Sequence, residues 1–102
     1  MGQFLKVAPL SQVPPGTIAS FDVGGKHVLL ANIEGGVYAV SGYCTHEETD
    51  LGNGFLIEDR VVCPLHLSQF ELKTGAVTNP PATVPLEKFN VKIEDETIFV
   101  EV

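Results

Sequence analysis

Two cysteines and two histidines recur as tight pairs: Cys44-Thr45-His46, then sixteen residues, then Cys63-Pro64-Leu65-His66. Thiolate and imidazole ligate zinc and iron–sulfur centres. Each short spacing lets one loop present both donors to one site. The chain has no further cysteine. A small secreted domain stapled by disulfides usually carries more, whereas a cytosolic pair is more often reduced, metal-bound or catalytic. Residue types alone leave several readings open. Two buried cysteines beside unrelated histidines is the bland one. A zinc-stabilised interaction module with two Cys and two His is another, although Cys-x-His is tighter than zinc-finger spacing and no helix pattern carries the histidines. A cysteine nucleophile with a His base explains one pair and leaves the other idle.

The elements that must position these loops read as strands. No long window shows apolar residues at i, i+3, i+4 and i+7 with caps. Short β-branched and aromatic runs at residues 4–8, 17–23, 26–33, 37–41, 54–57, 60–62, 69–72 and 76–78 are punctuated by Gly, Pro and acidic turns. Gly24-Gly25 is a two-residue hairpin signal, and Gly35-Gly36 marks the next turn. Asn79-Pro80-Pro81-Ala82 cannot form a central strand, because Pro donates no ladder hydrogen bond. Phe89, Val91 and Ile93 alternate with Asn90, Lys92 and Glu94, and Ile98, Val100 and Val102 alternate with Phe99 and Glu101; the turn Asp95-Glu96 between them predicts a closing hairpin. The expected fold is all-β: an antiparallel sandwich of about ten short strands with both ligand loops at one tip. At 102 residues the chain reads as a single domain, 1–102, with the part that carries the Cys and His pairs at about 42–82.

Charge narrows the partners. Six basic and thirteen acidic residues give a net charge of −7. Phosphate backbones repel such a chain, so nucleic acid is not an expected partner. An acidic surface favours solubility and steers docking to a basic protein surface. No apolar run approaches the roughly 20 residues of a membrane span, and the N-terminus lacks the basic and apolar regions of a secretory signal. The expected location is the cytoplasm, with no membrane partner.

The two boxes, with Phe70 and Thr74-Gly75, resemble the pattern of the Rieske family, in which two His replace two Cys on one iron of a [2Fe-2S] cluster. Pro81-Ala82, Pro85-Leu86 and the closing hairpin are similar to the small ferredoxins of bacterial aromatic-ring-hydroxylating dioxygenase systems. The resemblance implies one Rieske-type [2Fe-2S] cluster, with Cys44 and Cys63 on the buried iron and His46 and His66 on the outer one. It implies an electron carrier between a flavoprotein ferredoxin reductase, which draws on NADH, and a terminal dioxygenase. A small Rieske-like subunit of a nitrite reductase is the alternative. Thr49 and Leu65 stand where respiratory members carry a loop disulfide, and Phe70 where they carry a hydrogen-bonding Tyr. Ser68 keeps one hydroxyl that could donate to sulfur and tune the potential, which is expected in the lower part of the roughly −150 to +300 mV Rieske range. Leu67 departs from the Gly common in this group.

Catalysis by the chain itself is not expected. A Rieske oxygenase needs a second iron on two His and a carboxylate, and after His46 and His66 only His27 remains. His27 itself reads as structural or exposed. Gly52-Asn53-Gly54 lacks the third glycine and the following helix of a dinucleotide fingerprint. Glu47, Glu48 and Asp50 beside His46 read as a solvated turn that could also contribute to docking.

Overall fold

Val28-Leu29-Leu30-Ala31 is an uninterrupted apolar run, which suits a strand covered on both faces. The computed structural model, which describes residues 2–45, 48–65 and 67–102, places it at the centre of the molecule. The strands are β1 (Phe4–Pro9), β2 (Ile18–Val23), β3 (Lys26–Ile33), β4 (Gly36–Ser41), β5 (Phe55–Ile57), β6 (Arg60–Val62), β7 (Gln69–Glu71), β8 (Val77–Asn79), β9 (Lys88–Phe89), β10 (Val91–Glu94) and β11 (Thr97–Glu101). They form three antiparallel sheets, ordered β1-β11-β10, β2-β3-β4-β9 and β5-β6-β7-β8. Among the described residues the helical segments are two 3-10 turns, Leu10–Gln12 and Leu51–Asn53. No helix there is long and apolar enough to cross a membrane. The all-β antiparallel expectation holds, with a third sheet added.

The third sheet follows from the two-faced burial of β3. Side chains alternate across a strand, so Leu29, Ala31 and Ile33 face one way and Val28 and Leu30 the other. The first set packs with Leu51, Val61, Phe70, Leu72 and both cysteines. The second packs with Val23, Phe89, Ile98 and Val100. The middle sheet thus separates a tip core from a base core.

Local chemistry explains the turns. Gly24-Gly25, Glu34-Gly35 and Asp95-Glu96 all have positive φ at both residues and join strands in two-residue hairpins, the geometry whose twist matches that of the strands. The second turn lies one residue earlier than expected: Gly36 already pairs with Ile33 as the first residue of β4. β1 continues through Pro9, opposite Thr97, which an edge strand tolerates. The expected alternation at Phe89, Val91 and Ile93 does not form one strand. The chain changes sheets at Asn90, so that β9 pairs with β4 and β10 with β11.

Candidate metal centre

The first loop leaves β4 and ends at the Leu51–Asn53 turn; the second links β6 to β7. The hairpin β5-β6 lies between them and brings the second loop back to the tip core. The two loops share one backbone construction. The N–H of Cys44 donates to Thr49 O and that of Cys63 to Ser68 O, both at 2.8 Å. In the reverse direction, the N–H of Glu48 donates to Cys44 O at 2.8 Å and that of Leu67 to Cys63 O at 3.2 Å. Glu48 and Leu67 are both left-handed, with φ of 53° and 61°. Each cysteine therefore anchors the same closed loop by its own peptide groups. Between the anchors run the positions of His46 and His66, which lie outside the described residues.

The unequal spacings Cys-x-His and Cys-x-x-His conceal this common construction. They also conceal the strain at Leu67. A left-handed conformation costs an L-residue about 1–2 kcal/mol, and a glycine there loses about 0.5–1 kcal/mol in chain entropy. The Leu67 side chain is half exposed, so little packing is at stake. Leu67→Gly is expected to raise the thermal midpoint by a few degrees, about 0.5 kcal/mol at this size. A lower midpoint would mean that side-chain contacts outweigh the backbone strain.

Both cysteines are 1% exposed and belong to the same apolar cluster as Val61, Phe70, Leu72 and Leu86. They are not joined in a disulfide. Two reduced thiols sharing one core at the ends of matched loops form a soft sulfur donor pair, which suits an iron–sulfur centre. Among the described residues no group of three or more His, Cys, Asp or Glu is placed to hold a metal; two of the four expected ligands lie outside them.

A proline-rich strap, residues 79–86, ties the loops together. The Asn79 side-chain amide donates to Leu67 O at 3.3 Å. The Ala82 N–H donates to the Oγ of fully buried Ser68 at 3.0 Å. On the other loop, Thr45 Oγ1 donates to Val84 O at 2.6 Å. The Pro80-Pro81 peptide is cis. The strap's far end is fixed by the Leu86 N–H, which donates to Gly75 O at 2.8 Å. Gly75 has φ of 81°, and a Cβ there would collide with the Leu86 carbonyl oxygen, which gives the Thr74-Gly75 pair a physical reason. Tyr43, Leu65, Leu67 and Val84 stand exposed on these three segments, an apolar rim of the sort that marks a protein contact.

His27 is neither exposed nor isolated. Its side chain is 14% exposed, with Nδ1 2.8 Å from Asp22 Oδ1. Nε2 lies 3.1 Å from Asp50 Oδ1, close enough for charge pairing but too poorly aligned for a hydrogen bond. Its ring stacks on Tyr43 at 4.3 Å. Burial pulls the imidazole pKa down, but Asp22 and Asp50 outweigh it and hold the group above its ordinary value. Burial likewise pushes Asp50 up, yet His27, the Gly52 N–H and the Ser20 hydroxyl bring it below the usual carboxylate value. Asp50 is thus a loop anchor rather than a solvated charge, while Glu47 lies outside the described residues. The signal was present in the sequence: a two-residue turn at Gly24-Gly25 sets Asp22 opposite His27.

The family model described as the Rieske [2Fe-2S] domain matches residues 3–90. The ferredoxin component of the naphthalene 1,2-dioxygenase/salicylate 5-hydroxylase systems of Ralstonia sp. is 32% identical over 96% of this chain and 94% of its own. The ferredoxin of carbazole 1,9a-dioxygenase from Nocardioides aromaticivorans IC177 superposes with a TM-score of 0.90 at 34% identity, covering 96% of both chains. A chain from the complex of reduced oxygenase and oxidised ferredoxin in carbazole 1,9a-dioxygenase matches with a TM-score of 0.89 at 33% identity, covering 96% of this chain and 92% of that one.

Proposed function

The chain belongs to the Rieske [2Fe-2S] domain family, and from that premise we propose that Cys44, His46, Cys63 and His66 ligate its cluster. The protein is an electron carrier with one Rieske-type cluster, not a catalyst. The zinc reading falls with the family match. When bound, such a cluster takes up and releases one electron at a time. The observation that carries the ligand reading is the pair of matched loops, each anchored by a buried, reduced cysteine.

The chain's own groups divide the remaining work. Cys44 and Cys63, buried in one apolar cluster, would hold the inner iron. His46 and His66, by the same family pattern, would hold the outer iron. Ser68 fixes the strap through Ala82. Its hydroxyl accepts in that bond, so its proton is left to donate to sulfur and tune the potential. The exposed Tyr43, Leu65, Leu67 and Val84 form the contact rim. No Lys or Arg occurs at 28–59 or 61–72, so the tip favours a partner with basic surroundings.

The partners we assign are a flavoprotein ferredoxin reductase as donor and the terminal oxygenase of an aromatic-ring dioxygenase as acceptor, all in the cytoplasm. Dioxygenase ferredoxins among the relatives above 30% identity favour this over the nitrite reductase alternative. The test is stopped-flow mixing of the dithionite-reduced protein with an oxidised aromatic-ring terminal oxygenase. Reoxidation of the carrier that slows steeply as salt rises is expected. No transfer to such an oxygenase at low salt would overturn the assignment.

A further inference from the structure

We propose that His27 is a positioning residue for the first ligand loop, pinning both of its stems to the central sheet and so governing how firmly the electron-transfer centre is retained. The proposal rests on the ligand reading above, in which that loop supplies Cys44 and His46.

The two loops are alike in backbone but not in support. The second is held by the strap through both Asn79 and Ala82. On the first, the strap accepts the Thr45 hydroxyl at Val84 O. The first loop is also tied to β3. The backbone carbonyl of His27 accepts the Gly42 N–H at 2.8 Å, at the outgoing stem. The next residue, Tyr43, lays its ring on the imidazole at 4.3 Å with 22° between the planes. The returning stem brings Asp50, which forms an antiparallel bridge with Tyr43 and approaches Nε2 at 3.1 Å. Asp50 in turn accepts the Gly52 N–H at 2.8 Å and the Ser20 hydroxyl at 3.2 Å, so the same carboxylate caps the 3-10 turn and reaches β2. One imidazole therefore touches both ends of the loop.

The close approach is built into the sequence. A Cβ at Gly42 would collide with the His27 ring. Asp22, directly opposite on β2, holds Nδ1 at 2.8 Å and fixes the ring plane. Among the described residues, the charged groups facing His27 are acidic: Asp22 from β2 and Asp50 from the loop, with the Tyr43 ring stacked on the imidazole. Lys26, beside it on β3, turns away to Glu87 and the Phe89 ring. Two carboxylates beside a mostly buried ring favour the imidazolium, and both ring nitrogens are donors in that form. Since its folded pKa is raised, the stabilisation is fully present below the ordinary value near 6.5. It is lost as pH rises through the folded value.

The test is the rate at which the holoprotein loses its visible absorbance to a strong iron chelator, for wild type, His27→Gln and Tyr43→Leu. Tyr43 is half exposed, so its variant probes the stack without threatening the fold. Both variants are expected to bind a full complement of iron and to lose it about five-fold faster than wild type at pH 6, the effect of one weakened charge-assisted contact. The His27→Gln difference is expected to shrink as pH rises to 9. Equal rates in wild type and His27→Gln would overturn the proposal. So would a difference of the same factor at every pH, which would reduce His27 to packing. Failure of the ligand reading would show separately, as a wild-type protein without two irons and a Rieske spectrum.

Discussion

Cys63→Ser is expected to yield a colourless protein without stoichiometric iron and without an EPR signal after dithionite. The substitution is nearly isosteric, and the anchor that places residue 63 is its backbone: the N–H donates to Ser68 O and the carbonyl accepts from Leu67. The loop therefore keeps its path while the donor changes. A serine hydroxyl is a hard, protonated ligand at neutral pH, where iron in a cluster needs a thiolate. The site is 1% exposed, so solvent cannot supply a substitute donor without opening the tip core. Carrier activity should fall to background. Metal binding is also folding free energy, so the thermal midpoint should drop to that of the wild-type apoprotein. Visible absorption, iron analysis and EPR on one preparation decide the matter. A variant with full iron content and an unchanged spectrum would remove Cys63 from the ligand set.

Much of this centre is legible in the sequence because local chemistry dictates it. Cys and His spacing names the candidate donors, and β-branched runs between Gly and Pro turns name the strands, because those residues fit a pleated surface and a tight reversal. β3 and β6 fall where their composition puts them. The features that escape local reading depend on distant partners. The matched backbone of the two loops is set by hydrogen bonds from Cys44 to Thr49 and from Cys63 to Ser68, not by the spacing of the ligands. The change of sheet at Asn90 depends on β4 offering an edge to β9, and the alternation of Phe89, Val91 and Ile93 carries no mark of it. His27 escapes because Asp50 lies 23 positions further along the chain, although Asp22 was within reach of hairpin register. Leu67 shows a different limit: an apolar residue gives no local hint of a left-handed conformation that the loop closure imposes.

Phe70→Ala is expected to cost about 3–5 kcal/mol, the range for deleting a fully buried aromatic ring. Total stability is about 5–15 kcal/mol for a domain of this kind, so the variant sits near the edge of folding. Phe70 is 0% exposed and is the largest fully buried side chain among the described residues. It lies on the inner strand β7, opposite Val61 of β6 and Val77 of β8, in the same apolar cluster as Cys44 and Cys63. The tip sheet is built from four strands of three residues each. Such short ladders contribute few hydrogen bonds, so the sheet depends on this core. The base core lies on the opposite face of β3 and does not share the cavity. Loss should therefore be local first. In urea, the cluster absorbance of Phe70→Ala is expected to disappear at a lower midpoint than the far-ultraviolet signal of the strands. Ile98→Ala, in the base core, should shift both probes together. A loss below about 1 kcal/mol for Phe70→Ala would mean that Leu72 and Val61 close over the gap, and that the packing of the tip core is not what fixes the two thiols.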